Sequence, residues 1–206
     1  MRSQTAGVTT IPILTGRLVV LKPAAEEHAA ALLASITSDG VWAWKPVPRP
    51  ATVGDMSALL SDVMISPDGG RCPLVVVRRS DDLVIGSTTL HTLDFNQRSV
   101  EIGWTWLDQR CWGQGYNEDM KHVLLGYCFG PLRLSRVQWT VDGANLRSQR
   151  ALERLGFVKE GTLRSHRVRV DKSRADTVVY SLLADEWPEA AVRLKELIDE
   201  RTPAAP

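Results

Sequence analysis

Several features that mark other classes of protein are scarce in this chain of 206 residues. Cysteine occurs three times, at positions 72, 111 and 128, with no paired spacing, so we interpret these residues as reduced thiols. The four histidines are scattered and form no metal-ligand pattern, so we assign no metal. No apolar run approaches the roughly 18 residues of a membrane span, and no apolar signal core follows the N-terminus. We therefore expect a cytoplasmic protein.

The chain also has no excess of positive or negative charge. The formal net charge is +1, which gives no indication of nucleic-acid binding. Hydrophobic residues make up 44% of the chain and charged residues 24%, as in an ordinary soluble domain. We expect one domain over residues 1–206, with flexible tails at 1–10 and 201–206.

Hydrophobic periodicity and turn residues predict alternating strands and helices. The predicted strands cover residues 17–22, 74–79, 83–93, 99–107, 134–141, 157–160 and 177–183. The predicted helices cover residues 24–36, 52–65, 116–129, 145–155 and 185–200. A Trp/Pro-rich loop is expected at 41–50 and a turn at 67–70. Strands that first form hairpins and then alternate with helices indicate an α/β fold with a mixed sheet.

The strand at 99–107 alternates between two faces. Val100, Ile102, Trp104 and Trp106 are expected on one face, with Glu101 on the other. The segment after it, at 110–117, reads Arg-Cys-Trp-Gly-Gln-Gly-Tyr-Asn and precedes a helix. Two glycines allow a tight turn with exposed N–H groups, and the helix N-terminus adds positive potential. This combination predicts a pyrophosphate site.

Two common phosphate-binding motifs do not fit this loop. A P-loop requires a lysine followed by serine or threonine after its last glycine, and neither is present. A dinucleotide-binding loop requires a third glycine, which is also missing. A coenzyme A site is the third interpretation.

The motif Arg110-x-x-Gly113-x-Gly115 between a strand and a helix resembles the acetyl-CoA motif of the GCN5-related N-acetyltransferases (GNAT family). Further matches follow in order: Asn145-x-x-Ser148, Leu155-Gly156-Phe157 and Asp176 to Ser181. The pattern resembles the branch of ribosomal-protein alanine N-acetyltransferases and covers roughly residues 15–190. The resemblance implies a GNAT fold with splayed central strands flanked by helices, and acetyl-CoA or another acyl-CoA as co-substrate.

It also implies the residues that contact acyl-CoA. A pantetheine arm would pair with the edge of the strand at 99–107 like an added strand. A bulge would separate the strand at 99–107 from the strand at 134–141. Asn145 could instead serve only as a helix N-cap. The implied set is Trp106, Leu107, Arg110, Cys111, Trp112, Gly113, Gln114, Gly115, Tyr116, Asn117, Asn145 and Ser148.

Acyl transfer in this family proceeds without a covalent enzyme intermediate, so the resemblance requires only a base and a proton donor. We expect Glu101 to accept a proton from the amine, with Glu160 and His166 as alternatives. Glu101 could equally be a paired charge on the sheet surface. Ser148 is expected to protonate the departing thiolate, and the alternatives for this role are Tyr116 and Tyr180.

Two segments are candidates for the acceptor side. Trp42 and Trp44 lie in the loop that walls the acceptor pocket in the family, although core packing explains them equally well. The basic run 164–174 includes His166 and Arg167 and could recognise an anionic acceptor or a succinyl group from succinyl-CoA. A solvated surface is the alternative interpretation of this run.

The acceptor amine stays open between a protein N-terminus, a lysine and a small molecule. The apolar stripe of the last helix (Trp187, Ala191, Leu194 and Ile198) must be buried, either within the subunit or in a homodimer. The alternative functions are a non-catalytic acyl-CoA sensor on the same fold and an unrelated nucleotide-binding domain.

Overall fold

The computed structural model describes residues 11–61 and 70–202. The strands are β1 (Leu14–Thr15), β2 (Val19–Pro23), β3 (Arg71–Arg78), β4 (Val84–Asp94), β5 (Ser99–Leu107), β6 (Arg136–Asp142), β7 (Val158–Val168) and β8 (Arg174–Leu183). The α-helices are α1 (Ala29–Ala34), α2 (Asp39–Trp42), α3 (Val53–Leu59), α4 (Tyr116–Phe129), α5 (Leu146–Arg154) and α6 (Trp187–Arg201). Short 3₁₀ turns precede α1 and follow β5.

In this part of the chain the strands form one sheet in the order β1-β2-β3-β4-β5-β6-β8-β7. Neighbouring strands are antiparallel except β5 and β6, which are parallel and joined through α4. The mixed α/β fold predicted from the sequence is confirmed.

The β5–β6 pairing stops early. Its register covers only Ser99–Glu101 against Arg136–Gln138, although both strands continue. On its other side β5 contains a bulge, because Thr89 and Ser87 of β4 pair with Gly103 and Trp106. Trp104, within the bulge, has a φ of 51°. The strands therefore diverge after Glu101, as the resemblance implies, and one edge of β5 is left without a partner strand in the described residues.

The bulge also changes which face the tryptophans occupy. Val100 and Ile102 pack in the core beneath α4, whereas Trp106 is buried in a second cluster beneath α1–α3, and Trp104 packs against that cluster. The expectation of four residues on one face is therefore wrong for these two tryptophans. One extra residue in a strand reverses the alternation beyond it.

Several predicted boundaries change as well. Strand β7 runs to Val168 instead of residue 160, so much of the basic run belongs to a β7–β8 hairpin. The first two residues of the loop expected at 41–50 belong to the end of α2. Arg201 closes α6 instead of opening a flexible tail. The end of the helix predicted at 52–65, most of the turn at 67–70 and the tails 1–10 and 203–206 lie outside the described residues.

Helix caps follow the sequence closely. The Thr52 hydroxyl accepts the Asp55 N–H at 3.1 Å, and the Asp55 carboxylate accepts the Thr52 N–H at 2.9 Å, which forms a capping box at the start of α3. Gly156 follows α5 with a φ of 83°, as expected of a glycine that ends a helix.

Helix α6 packs against α4. Leu194 and Ile198 are buried, and the ring of Trp187 lies 5.7 Å from that of Phe129, measured between centroids. Half of the stripe is thus buried within the subunit, whereas Trp187 and Ala191 are only partly buried, and the homodimer stays a prediction. None of the helices in the described part of the chain combines the length and apolar character needed to cross a membrane.

Asp119 on α4 anchors the start of the sheet. Its buried carboxylate accepts backbone N–H groups from Arg17 (3.1 Å), Leu18 (2.6 Å) and Val19 (3.0 Å). Gly16 must remain small, because an added Cβ would lie 2.4 Å from the Asp119 Oδ2 atom. The carboxylate therefore fixes the β1–β2 turn against the helix that begins at the glycine loop.

We expect Asp119→Ala to lower the free energy of unfolding by about 3 kcal/mol, because it leaves three backbone N–H donors, one of them buried, without their charged acceptor. Asp199→Ala is the matched control, since Asp199 pairs with the Arg17 side chain but is 70% exposed. Removing such a surface ion pair should cost at most about 1 kcal/mol. Urea denaturation measures both values, and equal losses would show that the Asp119 bonds add nothing beyond a surface pair.

Candidate active site

The glycine loop begins where β5 ends and turns into α4. Gly113 and Gly115 have φ values of 76° and 86°, a region that L-residues rarely adopt. A Cβ on Gly115 would lie 3.2 Å from Leu18 and 3.6 Å from the Arg201 Cβ. Gly115 is the N-cap of α4 and carries no side chain that could occupy the first-turn N–H groups. The backbone is thus shaped for an anionic group at the helix N-terminus.

Arg110 is held by its neighbour. Its Nε and Nη2 atoms donate to both oxygens of the buried Asp108 carboxylate at 2.6–3.1 Å. Burial raises the pKa of Asp108, but the hydrogen bonds from Arg110 and Thr37 outweigh this effect and keep that pKa below its ordinary value. The Arg110 side chain remains 71% exposed beside a cavity of about 490 Å³ lined by Thr37, Gln109 and Arg110.

Two indole groups fix the free edge of β5. The Trp112 Nε1 atom donates to the Leu107 carbonyl at 2.9 Å, and the Trp106 Nε1 atom donates to the Ser35 hydroxyl at 2.9 Å. The Leu107 carbonyl, expected to contact a pantetheine arm, thus already accepts one hydrogen bond. Trp106 contributes backbone at this edge while its ring is buried beneath the helices.

A polar cluster lies where β5 and β6 begin to diverge. The Glu101 carboxylate accepts hydrogen bonds from the Thr140 hydroxyl and from the Gln138 amide at 3.2 Å. Arg167 of β7 donates to the same Thr140 hydroxyl. His91 Nε2 lies 3.7 Å from the Glu101 Oε1 atom. Glu101 is therefore linked to three other strands instead of standing alone on a solvated face.

His91 is the residue that sequence reasoning missed. The β4–β5 register places His91 directly opposite Glu101, and the Glu101 and His91 side chains are only 12% and 18% exposed. Counting outward from the predicted turn at Asn96-Gln97 would have paired Glu101 with Thr92, because an irregularity in β4 between His91 and Asp94 shifts the register by one residue. Burial lowers the pKa of His91; Glu101 opposes this shift, whereas Arg71 and Arg167 reinforce it. These surroundings thus favour the neutral form of the imidazole, next to a carboxylate.

The N-terminus of α5 carries the next candidates. The Asn145 Oδ1 atom accepts the Ser148 backbone N–H at 3.1 Å, which confirms the predicted N-cap. Within residues 11–61 and 70–202, neither the Asn145 amide nitrogen nor the Ser148 hydroxyl has a hydrogen-bond partner, and both residues are half-buried. The cap uses one atom of Asn145 and leaves its amide donor available for a ligand.

Two of the alternative acids and bases are held by other residues. Arg136 holds Glu160 through two 2.5 Å contacts, and the hydrogen bonds from Arg136 keep the pKa of Glu160 below its ordinary value. The Tyr180 hydroxyl donates to Glu153 at 2.7 Å, and burial together with Glu153 raises the pKa of Tyr180. These engagements make Glu160 a poor base and Tyr180 a poor proton donor. Tyr116 is half-buried in the first turn of α4.

The two tryptophans of the acceptor-side loop differ in their surroundings. Trp42 is 4% exposed, stacks edge-on against Trp106 with 5.2 Å between centroids, and donates its Nε1 hydrogen to the Val47 carbonyl. It therefore lies in the core, and the expectation that it faces an acceptor is wrong for this residue. Trp44 is 39% exposed and retains a free surface.

Most of the basic run lies on the exposed hairpin. Arg169 is neutralised by Asp142 at 2.7–2.8 Å, and His166 is exposed with its Nδ1 atom 3.1 Å from the Thr177 hydroxyl. Arg167 alone among the expected residues reaches the polar cluster, through Thr140. An anionic acyl or acceptor group would consequently be recognised by Arg167 instead of by the whole run.

Comparison with known proteins agrees with this geometry. The family model described as an acetyltransferase (GNAT) domain matches residues 17–158. YdaF of Bacillus subtilis (strain 168), provisionally named a ribosomal N-acetyltransferase, is 36% identical over 107 residues, which are 52% of this chain and 57% of YdaF. A GCN5-related N-acetyltransferase from Brucella melitensis superposes with a TM-score of 0.85 at 26% identity, covering 94% of this chain and 88% of that one. RimJ of Mycobacterium smegmatis, solved with CoA-disulfide, superposes with a TM-score of 0.73 at 26% identity over 90% and 92% of the two chains.

The environment of His91 predicts that its pKa shifts in opposite directions in two variants. Glu101→Gln should lower the pKa of His91 further, because it removes the charge that stabilises the imidazolium. Arg167→Gln should raise it, because it removes a repelling cation. An NMR titration of the His91 ring measures both shifts. Shifts in the same direction in both variants would contradict the assigned contacts.

Proposed function

The chain belongs to the GNAT family of N-acetyltransferases, in its RimJ-like branch, and we propose that it acetylates the α-amino group of a protein N-terminus. The observation that carries this proposal is the Glu101–His91 pair at the point where β5 and β6 diverge. The ribosomal acceptor named for YdaF and the CoA-disulfide bound to RimJ are consistent with it. Acetyl-CoA, the co-substrate of the family, supplies the activated thioester.

The residues of the cradle fit a pyrophosphate. Gly113 and Gly115 allow close approach of the backbone N–H groups, and α4 adds its positive end. The edge of β5 at Trp106 and Leu107 would hold the pantetheine arm, and the Asn145 amide would donate to it from α5. We assign the phosphate contacts to the backbone N–H groups of residues 111–117. Arg110 remains paired with Asp108 and is given no phosphate contact.

His91 and Glu101 would carry the acceptor proton. The neutral imidazole accepts it from the amine, directly or through a water, and Glu101 stabilises the imidazolium that forms. The Ser148 hydroxyl, which lies in the first turn of α5, would protonate the thiolate as it leaves. Arg167 and Thr140 position Glu101 from the opposite side.

The depressed pKa of His91 favours an α-amine over a lysine as acceptor. An α-amino group has an ordinary pKa of about 7.7–8.0, whereas the lysine value is about 10.4. A weak base removes a proton from the α-ammonium at a much smaller free-energy cost. Trp44 would provide an apolar surface for the first side chains of the acceptor.

The function is tested by thiol release from acetyl-CoA with a panel of amines. We expect acetylation of peptides that begin with the N-terminal sequences of ribosomal proteins, and no acetylation of the same peptides with a blocked N-terminus. Acetylation confined to lysine side chains or to small amines would refute the proposed acceptor. CoA binding without thiol release for any amine would instead indicate the non-catalytic sensor.

Gly113→Val should weaken CoA binding more than tenfold, or by about 1.4 kcal/mol, because a branched residue cannot adopt the left-handed backbone that the cradle needs. Calorimetry measures the dissociation constant. Gly161→Val in β7 is the matched control, since an added Cβ there meets nothing within 4 Å. A folded Gly113→Val protein with wild-type affinity would move the phosphate site elsewhere.

Ser148→Ala should reduce kcat by about a hundredfold while leaving the dissociation constant of acetyl-CoA nearly unchanged, if its hydroxyl protonates the thiolate. The helix cap should survive, because it uses the backbone N–H of Ser148. Asn145→Asp is the companion variant: it retains the capping oxygen but removes the amide donor, so it should affect acetyl-CoA affinity. Loss of thermal stability in Ser148→Ala with unaltered kcat would assign Ser148 to structure.

A further inference from the structure

Lys45 places an amine at the opening between the diverging strands. It lies between α2 and α3, and its Nζ atom donates to the Thr105 carbonyl at 2.7 Å. The same atom lies 5.5 Å from the centre of the Trp106 ring. Thr105 belongs to the part of β5 beyond its pairing with β6. The amine therefore binds a backbone carbonyl of β5 next to Trp106 and Leu107, the residues that the proposed function gives to the pantetheine arm.

The other side of this opening is formed by α5. Arg147, adjacent to Ser148, lies with its guanidinium 3.6 Å from the centre of the Trp112 ring and donates to the Gly40 carbonyl at 3.4 Å. Trp112 is the residue whose indole fixes the Leu107 carbonyl. Lys45 thus lies at the edge of β5, close enough to α5 for the charge of Arg147 to act on its amine.

The surroundings of Lys45 also disfavour its ammonium form. Loss of hydration lowers the pKa of Lys45 to about 7, and Arg147 contributes in the same direction. A neutral amine can donate one hydrogen to Thr105 and keep its lone pair free for another atom. An ordinary exposed lysine, with a pKa of about 10.4, has almost no free lone pair at neutral pH.

We propose that Lys45 is itself an acyl acceptor and becomes acylated by the acyl-CoA bound in the opening beside it. This inference rests on the proposed function, because it requires the thioester to reach the edge of β5. The product is an amide, which cannot take up the positive charge of the ammonium form. An acyl-lysine at this position would no longer repel Arg147 and would fill space at the free edge of β5.

The transfer balances without any further reactant. The Lys45 Nζ lone pair forms a bond to the thioester carbonyl carbon, and the carbon–sulfur bond breaks with its electron pair leaving on sulfur. The proton released by Nζ passes to the thiolate, directly or through the Ser148 hydroxyl. The products are acyl-lysine and the CoA thiol.

The test is incubation of the whole protein with acetyl-CoA at neutral pH in the absence of an acceptor, followed by intact mass and peptide mapping. We expect one acetyl group, located at Lys45, formed at least about tenfold faster than on exposed Lys159 and Lys195 because of proximity to the thioester. Those two lysines report uncatalysed chemistry. Lys45→Arg should lose this acetyl group, and calorimetry establishes that the variant still binds CoA.

A second measurement separates this inference from the proposed function. Protein without CoA is treated with a small water-soluble acetylating ester, and labelling of Lys45 is compared with and without CoA. CoA should protect Lys45 and leave Lys159 unaffected. Protection without acetylation of Lys45 by acetyl-CoA would overturn the inference and leave the proposed function intact. Failure of CoA to bind would overturn both, and equal acetylation of all lysines would overturn the inference alone.

Discussion

The site depends on the early end of pairing between β5 and β6. After Glu101 the two strands diverge, so the backbone of β5 has hydrogen-bonding groups with no strand partner in the described residues. Buried backbone groups without partners are costly, and side chains satisfy two of these carbonyls. Trp112 donates to Leu107 and Lys45 donates to Thr105. A ligand with amide groups of its own can take over this role, which is why an open strand edge serves as a binding site.

The bulge that accompanies this divergence also connects the two halves of the core. It places Trp106 beneath α1–α3, whereas Ile102 stays beneath α4. The ring of Trp106 packs against Trp42, and its backbone contributes to the open edge. Helices α1–α3 are consequently fixed to the same strand that lines the opening. Because protein interiors are densely packed, a change in the packing of these helices will shift the open edge of β5.

Charge in the site is organised by burial. Glu101 is surrounded by donors from neighbouring strands, so its carboxylate is solvated by protein groups instead of water. His91 and Lys45 lie in places that disfavour their protonated forms, and their pKa values are lowered. Lowered pKa values increase the neutral fraction of these basic groups near pH 7, which suits them to accept protons or acyl groups. Arg167 lowers the pKa of His91 and Arg147 lowers that of Lys45, because each arginine repels the protonated form.

Local sequence was sufficient for much of the fold and for the cradle. The glycines of 113–115, the start of α4 and the Asn145 cap depend on a few neighbouring residues whose backbone preferences are strong, and these predictions are confirmed. Sequence also predicted the mixed sheet, because period-2 and period-3.6 patterns are local. It could not predict that Trp42 is core or that Glu160 is paired with Arg136, since both depend on contacts distant in the chain.

The sequence by itself thus determined the family, the order of the longer strands and helices and the position of the glycine loop, because each of these depends on short, contiguous patterns. The tertiary structure decided which side chains meet at the strand divergence. His91 faces Glu101 only through the β4–β5 register, and Lys45 reaches Thr105 across 60 residues of chain. Register and bulge position set which face each side chain occupies, and a single residue of shift reverses that choice. The charges around the opening therefore follow from the assembled sheet.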